Sequence, residues 1–213
     1  MVDAVLWDND GVLADTEGLY YRATRTMLAR AGVDLTLEAY IEISLRQGRS
    51  TFDLIPDKSL PEEEIAGLRR DRDALYEDLI RAQGCFFPHA PRAVRDLHGK
   101  ARMAVVTSTP RRHFDLIHAG RELTGFFEFT LTREDYRNAK PHPEPYQAAL
   151  RRMGLRAERC IAVEDSERGL ASALAAGLRC VVVPHELTRQ CAFNGALAIL
   201  PSVASLPELA ASL

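Results

Sequence analysis

The sequence has no excess of either charge, no apolar run long enough to cross a bilayer, no C-x-x-C pair and no basic segment at its start. Each absence removes a class of function. Lys and Arg number 27 against 30 Asp and Glu, a net charge of −3, so no basic footprint marks a polyanion site and nucleic acid is not an expected ligand. A bilayer span needs about 20 consecutive apolar residues, and without one no membrane partner is expected. The opening Met1-Val2-Asp3-Ala4-Val5-Leu6-Trp7 lacks the basic region of a secretory leader and meets an acidic cluster almost at once. Cys85, Cys160, Cys180 and Cys191 are scattered, which reads as reduced core thiols and not as a disulfide frame or a zinc site. These features fit a cytoplasmic protein. Internal repeats and low-complexity tracts are also missing. With 213 residues, 46% of them hydrophobic, the chain is large enough for one core carrying a smaller insert.

Short runs rich in Val and Ile recur at residues 4–7, 102–107, 127–131, 160–163, 180–183 and 197–200, separated by helical patterns. That alternation predicts an α/β fold, a Rossmann-like parallel sheet with helices on both faces. Almost a hundred residues without a strand signal separate the first two runs, too many for one crossover. They read as helices over 17–31, 36–45 and from 62 to a stop at Gly84. The third has Ser59 and Glu62 spaced as a capping box and Ile65, Leu68, Leu75, Leu79 and Ile80 on one face. The expected organisation is a catalytic core of residues 1–14 and 90–213 and an inserted helical-bundle cap of residues 15–89.

The strongest local signal is Trp7-Asp8-Asn9-Asp10-Gly11-Val12-Leu13, an apolar strand running into two acids. Two positions apart at a strand end, Asp8 and Asp10 project to the same side. Carboxylates about 4 Å apart repel by roughly 4 kcal/mol at an effective dielectric of 20, and a divalent cation offsets that. Oxygen ligands favour Mg2+. A calcium loop of the EF-hand type is excluded, because Val12 and Leu13 stand where a ligand and a glycine are needed. Three further signals lie at the carboxyl ends of expected strands, where open α/β sheets build their sites. The hydroxyls of Thr107 and Ser108 precede Pro110, which suits the first turn of a helix. Lys140-Pro141-His142-Pro143 offers a cation on a stiffened loop, and Glu164-Asp165-Ser166 repeats the strand-to-acid arrangement.

The ordered set Asp8-x-Asp10-Gly11-Val12-Leu13, Thr107/Ser108, Lys140-Pro141 and Glu164-Asp165-Ser166-x-x-Gly169 resembles the four motifs of the haloacid dehalogenase superfamily. The resemblance extends over nearly the whole chain, since a small helical cap of the C1 type follows the first motif in that family. It implies a Mg2+-dependent phosphatase for a small phosphorylated metabolite. Asp8 would be the nucleophile that becomes an aspartyl-phosphate, and Asp10 the general acid and base, with Lys140 keeping Asp8 ionised. Asp8, the backbone carbonyl of Asp10 and Asp165 would hold the metal, with Glu164 as a further ligand or a ligand's partner. Thr107 or Ser108 would hold a phosphoryl oxygen; the motif fits either hydroxyl.

Asp10 argues against dehalogenase and phosphonoacetaldehyde hydrolase activities, which have no ester leaving group to protonate. The Glu-Asp-Ser-x-x-Gly form resembles the β-phosphoglucomutase and sugar phosphatase branch, but Tyr20 stands where such mutases carry a cap histidine. A sugar or sugar-acid phosphate is therefore the expected substrate, with a phosphomutase as the alternative and a non-catalytic phosphometabolite-binding protein as a third reading. Gly48 and Arg49, in the loop 47–50, resemble the cap loop that reads the substrate. His142 is the only histidine inside a motif, and Trp7 reads as core. A monomer or weak homo-oligomer is expected.

Overall fold

The computed structural model describes residues 2–56 and 60–213 and divides into two compact units. One gathers the chain up to Asp15 with Phe86–Leu213, and the other is Thr16–Cys85. The first unit is built on six parallel strands: β1 (Ala4–Trp7), β2 (Arg102–Val106), β3 (Thr130–Leu131), β4 (Cys160–Glu164), β5 (Arg179–Val182) and β6 (Ala198–Ile199), in the order β3-β2-β1-β4-β5-β6. The chain lays strands to one side of β1 and then returns to lay β4 on the other. The order reverses between β1 and β4, and open α/β sheets bind ligands outside the carboxyl ends of the strands at such a switch point.

Alternation along β1 sends its side chains to two separate cores. Val5 and Trp7 pack on one face with Val105, Ile161 and Val163, under α4 (Ala90–Leu97), α5 (Arg111–His118) and α8 (Leu206–Ser212). Ala4 and Leu6 pack on the other with Ala104, Val106 and Ala162, under α6 (Glu144–Met153) and α7 (Glu167–Ala175). Because β1 is covered on both sides, an acid following Trp7 emerges from a dry core at the strand's tip. All four residues of β1 and all five of β4 are buried.

Several sequence expectations are adjusted. The run at 127–131 keeps only Thr130–Leu131 as strand, although the Phe129 carbonyl still accepts the Val105 N–H at 3.1 Å. Pro110 stands at the N-cap of α5, outside the first turn, with extended backbone. Cys160 and Cys180 are buried free thiols, as is Cys85, while Cys191 is half-buried.

In the second unit α1 (Glu17–Arg30) packs against α3 (Glu62–Gln83), and the expected helix over 36–45 is a short α2 (Leu37–Tyr40) continuing into a π-helix, Ile41–Arg46. Of the expected apolar face of α3 only Ile80 is fully buried, joined by Tyr76. Ile65, Leu68, Leu75 and Leu79 are half-buried, since α3 leans chiefly on one neighbour. Ser59, proposed as a capping residue, lies outside the described residues; Pro61 is the N-cap of α3. Tyr20 stacks edge-on with Tyr76, at 5.2 Å, and lies under the Arg72 guanidinium. No helix among the described residues is long and apolar enough to cross a membrane.

Candidate active site

The loop after β1 is a tight turn in which the Asn9 carbonyl accepts the N–H groups of Val12, Leu13 and Ala14. Gly11, at φ +79, makes the turn possible and also makes room: a Cβ there would lie 2.3 Å from Asp165 Oδ2. The turn leaves Asp8 buried at the strand end and directs Asp10 across to the end of β2. Lys140, buried to 6% exposure, reaches in from the loop before α6 and places Nζ 2.7 Å from Asp8 Oδ1, 2.7 Å from Glu164 Oε1 and 2.8 Å from the Val106 carbonyl. That loop is tied to α7 by Arg168, which donates to the Lys140 carbonyl at 2.5 Å, and by Ser172, which donates to the His142 carbonyl at 2.7 Å.

Asp8, Glu164 and Asp165 offer carboxylate oxygens that all lie within 4.8 Å of one another. Burial pushes the Asp8 carboxyl well above the usual carboxylate range; Lys140 opposes this, while Glu164, Asp165 and Asp10 add to it. Glu164 is raised for the same first reason, burial, again opposed by Lys140. Burial disfavours the Lys140 charge too, yet Asp8 and Glu164 on either side hold its pKa above the ordinary lysine value. One lysine therefore faces three buried acids, and the cluster is short of positive charge. At Glu164, Oε1 takes both Lys140 and the Tyr146 hydroxyl, at 2.5 Å, whereas the buried Oε2 lies against Gly169 with no hydrogen-bond partner. A hard divalent cation supplies what is missing, and an all-oxygen donor set suits Mg2+.

The Asp10 carboxylate does not join this cluster. Its Oδ2 accepts from Thr107 Oγ1 at 3.2 Å and closely from Thr109 Oγ1. Thr107 is fully buried and its hydroxyl also accepts the Thr109 N–H, whereas Ser108 is half-buried and turned toward the Tyr136 hydroxyl. His142 is exposed and accepts the Glu144 N–H at the start of α6, a capping contact. Gly48 and Arg49 belong to the second unit, where the Arg49 guanidinium is exposed and 3.6 Å from Asp53.

Several partners of the acids escaped the sequence reading, His185 among them. His185 follows β5, and its ring Nδ1 accepts the Leu187 N–H, so the proton sits on Nε2 and is donated to Asp165 Oδ2 at 2.9 Å. Its position just past a strand end was the available signal. Replacing His185 with alanine is expected to weaken Mg2+ binding about 10- to 100-fold, the usual effect of removing a ligand's supporting hydrogen bond. Titration calorimetry with Mg2+ alone reads this out, and an unchanged affinity would remove His185 from the site. Gly169, read from the sequence as part of the fourth motif, owes its place to space: a Cβ there would fall 1.8 Å from Glu164 Oε2, so the glycine leaves the room its glutamate occupies. Gly169→Ala should displace Glu164 and destabilise the fold by about 1–3 kcal/mol, seen as a lower melting temperature. A fully stable variant would show that Glu164 has room to move.

The haloacid dehalogenase-like hydrolase model matches residues 2–177. Protein CbbY of Cereibacter sphaeroides is 34% identical, the match covering 99% of this chain and 96% of that protein. A crystal structure of a CbbY mutant from Rhodobacter sphaeroides, in complex with xylulose-(1,5)bisphosphate, superposes with a TM-score of 0.81 at 29% identity over 97% of this chain and 96% of that one. The β-phosphoglucomutase of Clostridium difficile, at 22% identity, covers 97% and 93% with a TM-score of 0.78 and shares the fold. The similarity thus favours CbbY over the mutase branch. With its acids, lysine and strand-end hydroxyls gathered at the switch point of a parallel sheet, the chain belongs to the haloacid dehalogenase-like hydrolases and, within them, is a Mg2+-dependent phosphoric monoester hydrolase that works through an aspartyl-phosphate.

Proposed function

We propose that the chain is a phosphatase for a sugar or sugar-acid phosphate, with Asp8 as nucleophile and Asp10 as general acid and base. The observation that carries this reading is the division of labour between two acids on one strand end. Asp8 is paired with a buried lysine and shares a cation-deficient cluster, whereas Asp10 is held apart by hydroxyls. Asp8 Oδ attacks phosphorus as the bond to the ester oxygen breaks, and Asp10 gives that oxygen its proton. Asp10 then takes a proton from the water that cleaves the aspartyl-phosphate, restoring both acids.

Lys140 supplies positive charge at Asp8 and at the transferring group. Thr107, on the Asp10 side of the strand end, is the hydroxyl proposed to hold a phosphoryl oxygen, its O–H turning from Asp10 to the phosphoryl group when substrate binds while Asn9 and Thr109 keep their contacts to Asp10. Asp8, Glu164, Asp165 and the Asp10 backbone carbonyl are proposed to hold Mg2+, which when bound neutralises phosphoryl charge as a Lewis acid. Gly48 and Arg49 are proposed substrate contacts, supported by an exposed guanidinium able to meet a second anionic group. The ligand of the CbbY mutant, a ketopentose bisphosphate, is of this chemical class.

The test is phosphate release from a panel of triose, pentose and hexose mono- and bisphosphates with Mg2+. Preferential turnover of one sugar phosphate is expected. Conversion of a hexose 1-phosphate to its isomer without phosphate release would establish a phosphomutase instead.

A further inference from the structure

Between the two acids of the first motif stands Asn9, fully buried, and the hydrolytic steps make no use of its side chain. A buried amide is costly unless its oxygen and nitrogen are both satisfied. Here they are satisfied in a particular direction. Asn9 Oδ1 lies 2.8 Å from Nε2 of His118, the last residue of α5, and Asn9 Nδ2 lies 3.2 Å from Asp10 Oδ2. A carboxylate oxygen only accepts, so the amide nitrogen faces Asp10 and the amide oxygen faces the histidine. His118 therefore donates from Nε2, and the two links run one way, from His118 to Asn9 to Asp10.

The imidazole is itself fixed. It packs against Phe114 with ring centroids 4.2 Å apart and meets Phe86 edge-on at 5.1 Å, with the Arg121 guanidinium over the far ring at 4.3 Å. Burial lowers its pKa to about 4, so the ring is neutral at pH 7 and can hold one tautomer. At the other end, Asp10 Oδ2 receives three donors, from Asn9, Thr107 and Thr109. The hydroxyls could turn to accept, but the Asn9 amide nitrogen can only donate, so it is Asn9 that makes Oδ2 the poorer place for a proton.

We propose that His118 and Asn9 are positioning residues that lock the Asp10 carboxyl by Oδ2, keeping the acidic proton on Oδ1, where it is delivered to the leaving oxygen. The inference rests on the role given to Asp10 above. Its consequence depends on the leaving group. An alkoxide needs the proton as the P–O bond breaks, whereas p-nitrophenolate leaves without it.

The experiment compares kcat/KM for the best sugar phosphate of the panel with kcat/KM for p-nitrophenyl phosphate, since this parameter reports transfer to Asp8 and not the later hydrolysis. His118→Phe keeps the stacked ring and removes the donor. It is expected to lower kcat/KM for the sugar phosphate ~10-fold or more, the worth of a hydrogen bond in a charged network, and to change p-nitrophenyl phosphate less than about 3-fold. His118→Gln, which retains an N–H donor, should recover most of the loss.

If His118→Phe does not fold because Asn9 Oδ1 is left unpaired, the double variant N9L/H118F removes both polar partners and should fold and show the same selectivity. Equal losses for both esters, or no loss for either, would overturn the proposal while leaving the hydrolytic reading intact. A wild-type protein that releases phosphate from neither ester would overturn both.

Discussion

Asp8→Asn is expected to reduce phosphate release by ~10^4-fold or more while leaving the fold in place. The amide is nearly isosteric and its oxygen can still accept from Lys140, but it cannot form the phosphoryl bond. Stability should not suffer, because burial already disfavours the charged form of Asp8 and a neutral amide escapes that cost. Thermal melting without metal should give a midpoint no lower than that of the wild type. Substantial residual turnover in a preparation free of other phosphatases would exclude an aspartyl-phosphate on this residue.

Lys140→Met should damage the fold as well as the rate. The lysine contacts Asp8 and Glu164 at 2.7 Å each, within a cluster where three acids share one fixed cation. Removing one partner of a buried charge network costs about 3–5 kcal/mol, since the remaining charges stay buried without compensation. In a chain of this length that corresponds to a fall in Tm of roughly 10 °C. Mg2+ should restore part of it by binding the same acids, whereas wild-type protein should gain less. An unchanged Tm would mean that Asp8 and Glu164 hold protons in the metal-free protein and that Lys140 contributes little to folding.

The first acid pair, the strand-end hydroxyls, the lysine loop and the second acid pair were all legible because each is a break in a pattern. An apolar run bounded by carboxylates or hydroxyls stands out from a core strand, and the order of the four breaks along the chain identifies the superfamily. Other partners of those acids were not legible, because they interrupt no pattern. Tyr146 lies inside a helix, and Thr109 resembles any residue before a proline. His118 ends an amphipathic helix, 109 residues from the asparagine it holds.

By itself the sequence determined the α/β alternation, the inserted helical segment and the kinds of ligand atom at the strand ends, since these depend on local periodicity and on residue chemistry. The tertiary structure decided how the acids divide. Strand β1 lies between β2 and β4, so Asp10 meets the hydroxyls of the β2 end while Asp8 meets the lysine and the acids of the β4 end. That division follows from strand order and side-chain direction across a sheet, quantities set by long-range packing. No spacing along the chain encodes them.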